Sequence, residues 1–266
     1  MAQVIDRPPR LVLPTEPTLP TKRWEDQRFL LIGQAGVGKS TWVANDPDAF
    51  FIDTEGNLSH LGVKRLPCRS WDDFRAIYEA LYAKATEGAF PYKTIVIDTA
   101  DRWLALAEEE VIGRAREKYS AAVAAKIFTI GDIPEGNGWA QTTKLIMTAL
   151  DKLDQFPAAL MLIAHVKQTK VEEPTQKYDK ETVSLWGGVG NNVLGWVKHT
   201  LHIQAMYTGD TLQRWIRTLP SKGLESKSHG GLVPDKMKWQ TADLKAEWTA
   251  FRSLFTEGTP GGNGHG

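Results

Sequence analysis

Short apolar runs alternate along this chain with longer stretches whose apolar residues recur every three or four positions. Residues 29–32, 50–52, 94–97 and 159–164 are apolar runs of strand length and read as buried strands. Residues 71–86, 102–128 and 139–156 have the length and spacing of helices. Alternation of this kind predicts an α/β fold, a mostly parallel sheet covered by helices on both faces. Further on, 200–207 and 212–218 read as two strands joined at Gly209-Asp210, a C-terminal β-hairpin extending the sheet. Residues 244–255 read as a last amphipathic helix. Between 166 and 192 the chain is long and polar and reads as a loop, and loops of that length in compact domains are functional or disordered.

The ends differ from this middle. Pro8, Pro9, Pro14, Pro17 and Pro20 fall within residues 1–27, which predicts an extended N-terminal arm. Residues 257–266 are glycine-rich and predict a disordered tail, leaving 28–256 as the packed domain. The chain has 266 residues, 42% hydrophobic and 24% charged, enough to build a core. Its net charge is zero, so contact with nucleic acid has to come from a local patch. A single cysteine, Cys68, excludes an internal disulfide and a thiolate metal cluster. The first ten residues carry no apolar signal core, and the apolar stretch 158–164 is too short to span a bilayer. A cytoplasmic protein without membrane contact is the expectation.

The chemistry concentrates at Gly33-Gln34-Ala35-Gly36-Val37-Gly38-Lys39-Ser40, which fits the phosphate-loop pattern G-x-x-x-x-G-K-[ST]. The glycines let the backbone wrap so that several N–H groups face one phosphate. Lys39 reaches the β- and γ-phosphates, Ser40 offers a hydroxyl to Mg²⁺, and Thr41 opens the helix whose positive end faces the same anion. ATP and Mg²⁺ are the expected ligands. The run 94–97 ends in Asp98, a second candidate for holding Mg²⁺. The next residue is Thr99, where many AAA+ ATPases place the glutamate that activates water. Glu55, just past the run 50–52, is the alternative base.

Taken in order, GQAGVGKST, FIDTEG and TIVIDTADRW resemble the core of RecA-type P-loop ATPases, and more closely the phage-encoded RecA-like proteins, some of them compact single-strand annealing recombinases. The resemblance covers roughly residues 28–240 and implies a RecA-like P-loop NTPase core. It implies that Glu55 is the catalytic base, that Asp98 is the Mg²⁺-associated acid, and that His165 senses the γ-phosphate and links it to a DNA-binding loop at 166–192. It also implies ATP sites between subunits of a ring or filament, a homo-oligomer acting on single-stranded DNA, with a single-strand-binding protein as a further partner. No large appended DNA-binding domain is evident, which favours annealing over strand exchange.

Two features extend the nucleic-acid reading. Trp186, before Gly187-Gly188, is a candidate for stacking on a base. Arg214, Arg217, Lys222, Lys227, Lys236 and Lys238 form a basic segment that can meet the DNA backbone. Arg217, Lys222 or Lys227 can alternatively reach a neighbour's ATP site as a cationic finger. Two other functions compete: an ATP-dependent loader or adaptor acting through a protein, and a small-molecule kinase with Arg114 and Arg116 as lid residues.

Overall fold

The computed structural model describes residues 15–16, 21–173, 176–221, 223, 225–238 and 243–256. Most of the N-terminal arm and the whole of the tail 257–266 therefore lie outside the described residues. The strands are β1 (Arg28–Gly33), β2 (Ala49–Asp53), β3 (Lys64–Pro67), β4 (Thr94–Asp98), β5 (Ala159–Glu173), β6 (Gln176–Val183), β7 (His199–Thr208), β8 (Thr211–Arg217), β9 (Lys227–Ser228) and β10 (Lys236–Lys238). The helices are α1 (Lys39–Val43), α2 (Trp71–Thr86), α3 (Ala100–Lys118), α4 (Ala121–Ala124), α5 (Asn137–Leu153), α6 (Gly187–Trp196) and α7 (Leu244–Arg252).

The sheet runs β10-β8-β7-β1-β5-β4-β2-β3. From β7 to β3 every neighbouring pair is parallel, and β8 and β10 add antiparallel strands at one edge. This is the expected α/β architecture with its hairpin extension. Both faces are buried, so successive residues of one strand enter different cores. Leu30, Ile32, Ile95, Ile97, Leu160 and Leu162 pack with α2, α3, α5 and α6. Phe29, Leu31, Val96, Met161 and Ile163 pack with Trp42 of α1 and Trp248 and Phe251 of α7. That explains why these strands read as unbroken apolar runs. Helix α2 starts on a reciprocal cap between Ser70 and Asp73, and α3 starts on the Thr99 side chain.

Four expectations need correction. The predicted loop 166–192 is not a loop: β5 continues past the sheet and pairs with β6 as an antiparallel ribbon, followed by α6. Both sides of much of that ribbon face solvent, so no apolar alternation marks it, but its charges are complementary across the strands. Lys170 lies opposite Asp179, and Glu172 opposite Lys177, favourable cross-strand pairs. The predicted helix 102–128 stops at Lys118, and the chain folds back with Ile127 and Ile130 against Val111 and Ala115. Arg116 Nε holds this return by donating to the Ile127 carbonyl at 2.8 Å. The last helix ends at Arg252 rather than 255. Finally, the arm does not extend to residue 27, because Trp24 is fully buried.

Beside Trp24, a buried histidine makes stability sensitive to pH. His199 is 0% exposed, stacks on Phe29 and has both ring nitrogens partnered. Gln27 donates its amide to the Arg23 carbonyl, which leaves its Oε1 to accept from His199 Nε2 at 3.1 Å. Ser228 Oγ lies 3.1 Å from Nδ1. Burial, then the nearby His229, Lys198 and Lys227, lower the His199 pKa from 6.5 to about 4. Between those values the unfolded chain binds a proton that the folded chain refuses. Stability from this group is therefore complete above pH 6.5 and falls as pH drops toward 4, by about 1.4 kcal/mol per unit. In urea unfolding between pH 7.5 and 4.5, the stability difference between the wild type and His199→Gln is expected to follow this slope, because Asp98, with its raised pKa, contributes in the opposite sense to both proteins. A difference that does not change with pH would assign the acid sensitivity elsewhere.

Candidate functional site

The parallel register gathers the candidate residues at the carboxyl ends of adjacent strands, where open α/β sheets bind ligands. Gly33 pairs with His165, Ile163 with Asp98, and Asp98 with Asp53. Gly33 has to be glycine because a Cβ there would sit 2.6 Å from the Ile203 carbonyl oxygen of β7. Gly38 has φ 100°, which turns the chain into α1. A cavity of about 310 Å³ lies over this row, lined among others by Gly36, Lys39, Ser40, Glu55, Asp98 and His165. Ala35, Gly38 and Thr41 line it as well. Val37 is buried beneath the loop, and Gln34 points away toward β6.

Lys39 is buried, and its ammonium donates to the Gly33 and Gln34 carbonyls at 2.8 and 2.9 Å. Burial lowers its pKa, opposed by the charges of Asp98, Asp101 and Glu55. Asp98 is 4% exposed, and burial pushes its pKa up to about 6. A hydrogen bond from Ser40 pulls the other way, the charges of Glu55 and Asp53 add to the rise, and Lys39 opposes it. Asp98 Oδ2 is buried without a hydrogen-bond partner. An orphaned carboxylate oxygen beside a serine hydroxyl fits Mg²⁺, which typically takes one or two protein oxygens and completes its shell with phosphates and water. No group of three or more His, Cys, Asp or Glu placed to hold a metal occurs among the described residues.

Glu55 reaches the cavity through a tight turn. Gly56, at φ 73°, donates its N–H to Asp53 Oδ1 at 2.7 Å, and Arg65 pairs with the other oxygen of Asp53 at 2.9 Å. Thr54 bridges to β4, with its hydroxyl donating to the Thr99 carbonyl at 2.9 Å and accepting from the Thr99 N–H at 2.7 Å. Thr99 Oγ1 then donates to Glu55 Oε1 at 2.6 Å. A carboxylate from just past β2 is thus held against position 99 by a hydroxyl.

His165, at the point where β5 leaves the sheet, is held by Asp101 of α3. The Asp101 carboxylate accepts from the His165 N–H at 2.8 Å and lies 3.2 Å from its Nδ1. The hydrogen bond from its ring to the Asp101 carboxylate raises the His165 pKa, with burial and Lys39 opposing. Burial acts to raise the Asp101 pKa, but the hydrogen bonds from His165 outweigh it and hold it below the usual range. Sequence reasoning missed Asp101, whose only signal is its place in the first turn of the helix that follows Asp98. It also missed Arg214 as a loop support: its Nε donates to the Val37 carbonyl at 2.9 Å, from a strand far away in sequence.

Lys222 lies outside the described residues, and the other candidates stand elsewhere. Arg217 is half-buried on β8 opposite His202. Lys227 donates to the Leu194 carbonyl of its own chain. Trp186 packs edge-on against Trp139 and donates Nε1 to Glu108 at 2.6 Å, a packing role. Arg114 pairs with Glu110 at 2.7 Å, and Arg116 holds Ile127. Arg114 stands about 21 Å along α3 from its start near Asp98. Cys68 is buried and free, its thiol pushed up to about 12 by burial and then by Asp73.

The phosphate loop, the strand-end carboxylate and the parallel sheet define a P-loop NTPase fold. The chain belongs to the AAA domain family AAA_24, whose model matches residues 25–229. It is also similar to a Bacillus subtilis (strain 168) protein described as SPbeta prophage-derived uncharacterized protein YorG. The two are 22% identical over 168 residues, 61% of this chain and 48% of that protein. The chain thus spans about half the length of this relative. No helix among the described residues is long and apolar enough to cross a membrane.

Proposed function

We propose that this protein binds and hydrolyses ATP with Mg²⁺ and uses the cycle to control single-stranded DNA binding in phage recombination or replication. The observation that carries the reading is the convergence of Lys39, Ser40, Asp98, Glu55 and His165 on one cavity at the strand ends. In this reading Lys39 and the loop N–H groups hold the phosphates, and Ser40 and Asp98 hold the metal, which supplies charge neutralisation on the phosphoryl oxygens. Glu55 orients and deprotonates the attacking water. A glutamate delivered from β2, with threonine at position 99, supports a RecA-type site. The prophage origin in the relative's description supports the phage setting.

His165 is the pivot between chemistry and DNA. It lines the cavity and roots the β5–β6 ribbon, so a γ-phosphate can bias the ribbon through it. The ribbon, the basic residues of β8 and β10, and a neighbouring copy in a ring or filament would form the DNA path, with Arg217 or Lys222 serving a neighbour's site.

One observation favours the adaptor as a second reading. Three of the ribbon's four lysines are already engaged: Lys167 with the Leu185 carbonyl, Lys177 with Glu172 and Lys180 with Glu225. Such a ribbon suits a protein partner as well as a phosphate backbone. The deciding measurement is steady-state ATP hydrolysis with and without single-stranded DNA, using Lys39→Ala to define background. Stimulation of about tenfold, absent in Lys39→Ala, is expected. A Lys39-dependent rate indifferent to DNA would turn the assignment toward the adaptor.

A further inference from the structure

A carboxylate outside the nucleotide cavity ties the phosphate loop to the ribbon. Glu181 lies near the root of β6, and its Oε1 accepts from Gln34 Nε2 at 3.1 Å. Its Oε2 lies 3.0 Å from Nε2 of His202, a β7 side chain only 1% exposed. The Glu181 backbone is clamped as well: its N–H donates to the Gly223 carbonyl at 2.9 Å, and its carbonyl accepts from the Glu225 N–H at 3.2 Å. On the other strand of the ribbon, His165 is anchored to Asp101. Each strand of the ribbon therefore meets the nucleotide machinery at its own root.

Gln34 is placed to transmit a signal. Its carbonyl accepts from the Lys39 ammonium while its side chain holds Glu181. An ammonium has three N–H donors, and a phosphate drawing them forward weakens their bonds to the loop carbonyls. The Gln34 carbonyl is then held by the longer 3.4 Å bond from the Val37 N–H, and a shift of that peptide moves the side chain with it. Space for this exists, since a second cavity of about 310 Å³ is lined by Gln34, Glu181, Ile203 and Gln204. We propose that Glu181 is a positioning residue that couples the state of the phosphate loop to the β5–β6 ribbon through Gln34, with His202 fixing its other oxygen. The proposal rests on nucleotide binding as argued above.

Hydrogen exchange over residues 166–183 tests it, with and without a non-hydrolysable ATP analogue and Mg²⁺, alongside analogue affinity measured on the same proteins. In the wild type, the analogue is expected to change ribbon exchange rates at least about fivefold. With the analogue saturating each variant, Glu181→Ala and Gln34→Ala should lose that response, and Glu181→Gln, which keeps an amide oxygen for Gln34, should retain most of it. A merely structural Glu181 would lower the melting temperature and leave the nucleotide-dependent difference intact, and that result overturns the coupling. So does a wild-type ribbon that ignores a bound analogue. Gln34 is exposed, so Gln34→Ala carries the test even where Glu181→Ala fails to fold. A wild-type protein that binds no nucleotide overturns the proposed function itself, and the coupling falls with it.

Discussion

Glu55→Gln is expected to lower kcat for ATP hydrolysis by about two to four orders of magnitude, the range for loss of a general base. ATP affinity should stay within about threefold of the wild type, because the substitution keeps the size of the side chain and its acceptor toward Thr99. The bond from Thr99 Oγ1 to Glu55 Oε1, at 2.6 Å, needs only an oxygen, which glutamine provides. What glutamine lacks is the ability to take a proton from water. Single-turnover hydrolysis and equilibrium binding of a fluorescent ATP analogue separate the two effects. A kcat within tenfold of the wild type would remove Glu55 from the chemistry. Thr99→Ala should act in the same direction more weakly, by loosening a carboxylate that is otherwise solvent-exposed.

The difference between these two residues shows what the sequence made legible. The phosphate loop, the four apolar strands and the carboxylates at their ends could be read directly, because a strand buried on both faces leaves an apolar run and the loop has fixed spacing. Glu55 was legible as a position but not as a geometry. Its link to Thr99 depends on β2 and β4 lying side by side, which is a property of strand order. Asp101, Arg214 and Glu181 were illegible as site supports for the same reason. Each reaches its partner across the fold, 64 residues for Asp101 to His165 and 177 for Arg214 to Val37.

The ribbon failed to register for a different reason. Period-two apolar patterning marks a strand only where one face is buried. Beyond His165 the strand is mostly solvated, and the information lies in charges that meet only once the hairpin forms, as Glu172 meets Lys177 and Lys170 meets Asp179. Lysines and acids that cancel in a count of net charge are, in the folded chain, neighbours across the β5–β6 ladder. Their balance is therefore a feature of ribbon stability before it says anything about affinity for DNA.

Trp24→Ala is expected to destabilise the domain by about 3–5 kcal/mol, the range for deleting a large buried aromatic side chain. Trp24 has 0% exposure and sits among Phe29, Trp248, Phe251 and Phe255, with ring centroids 5.0, 5.9, 6.1 and 5.2 Å away. The Arg252 guanidinium covers its ring at 4.1 Å. Its Nε1 donates to Thr94 Oγ1 at 2.9 Å, and that hydroxyl donates to Asp46 at 2.6 Å. The backbone is fixed too, because the Trp24 N–H donates to the Thr256 carbonyl at 2.9 Å and the Thr256 N–H to the Lys22 carbonyl at 2.8 Å. One residue thus joins the start of the domain, the β1 and β4 strands and the region after α7. Removing it opens a cavity that rigid rings from three elements can only partly close. Trp24→Phe should cost less, about 1–2 kcal/mol, since it keeps a ring and loses the indole hydrogen bond. Urea unfolding followed by circular dichroism measures both. A shift below 1 kcal/mol for Trp24→Ala would mean that this segment is not docked in solution and that the domain begins after it, at β1.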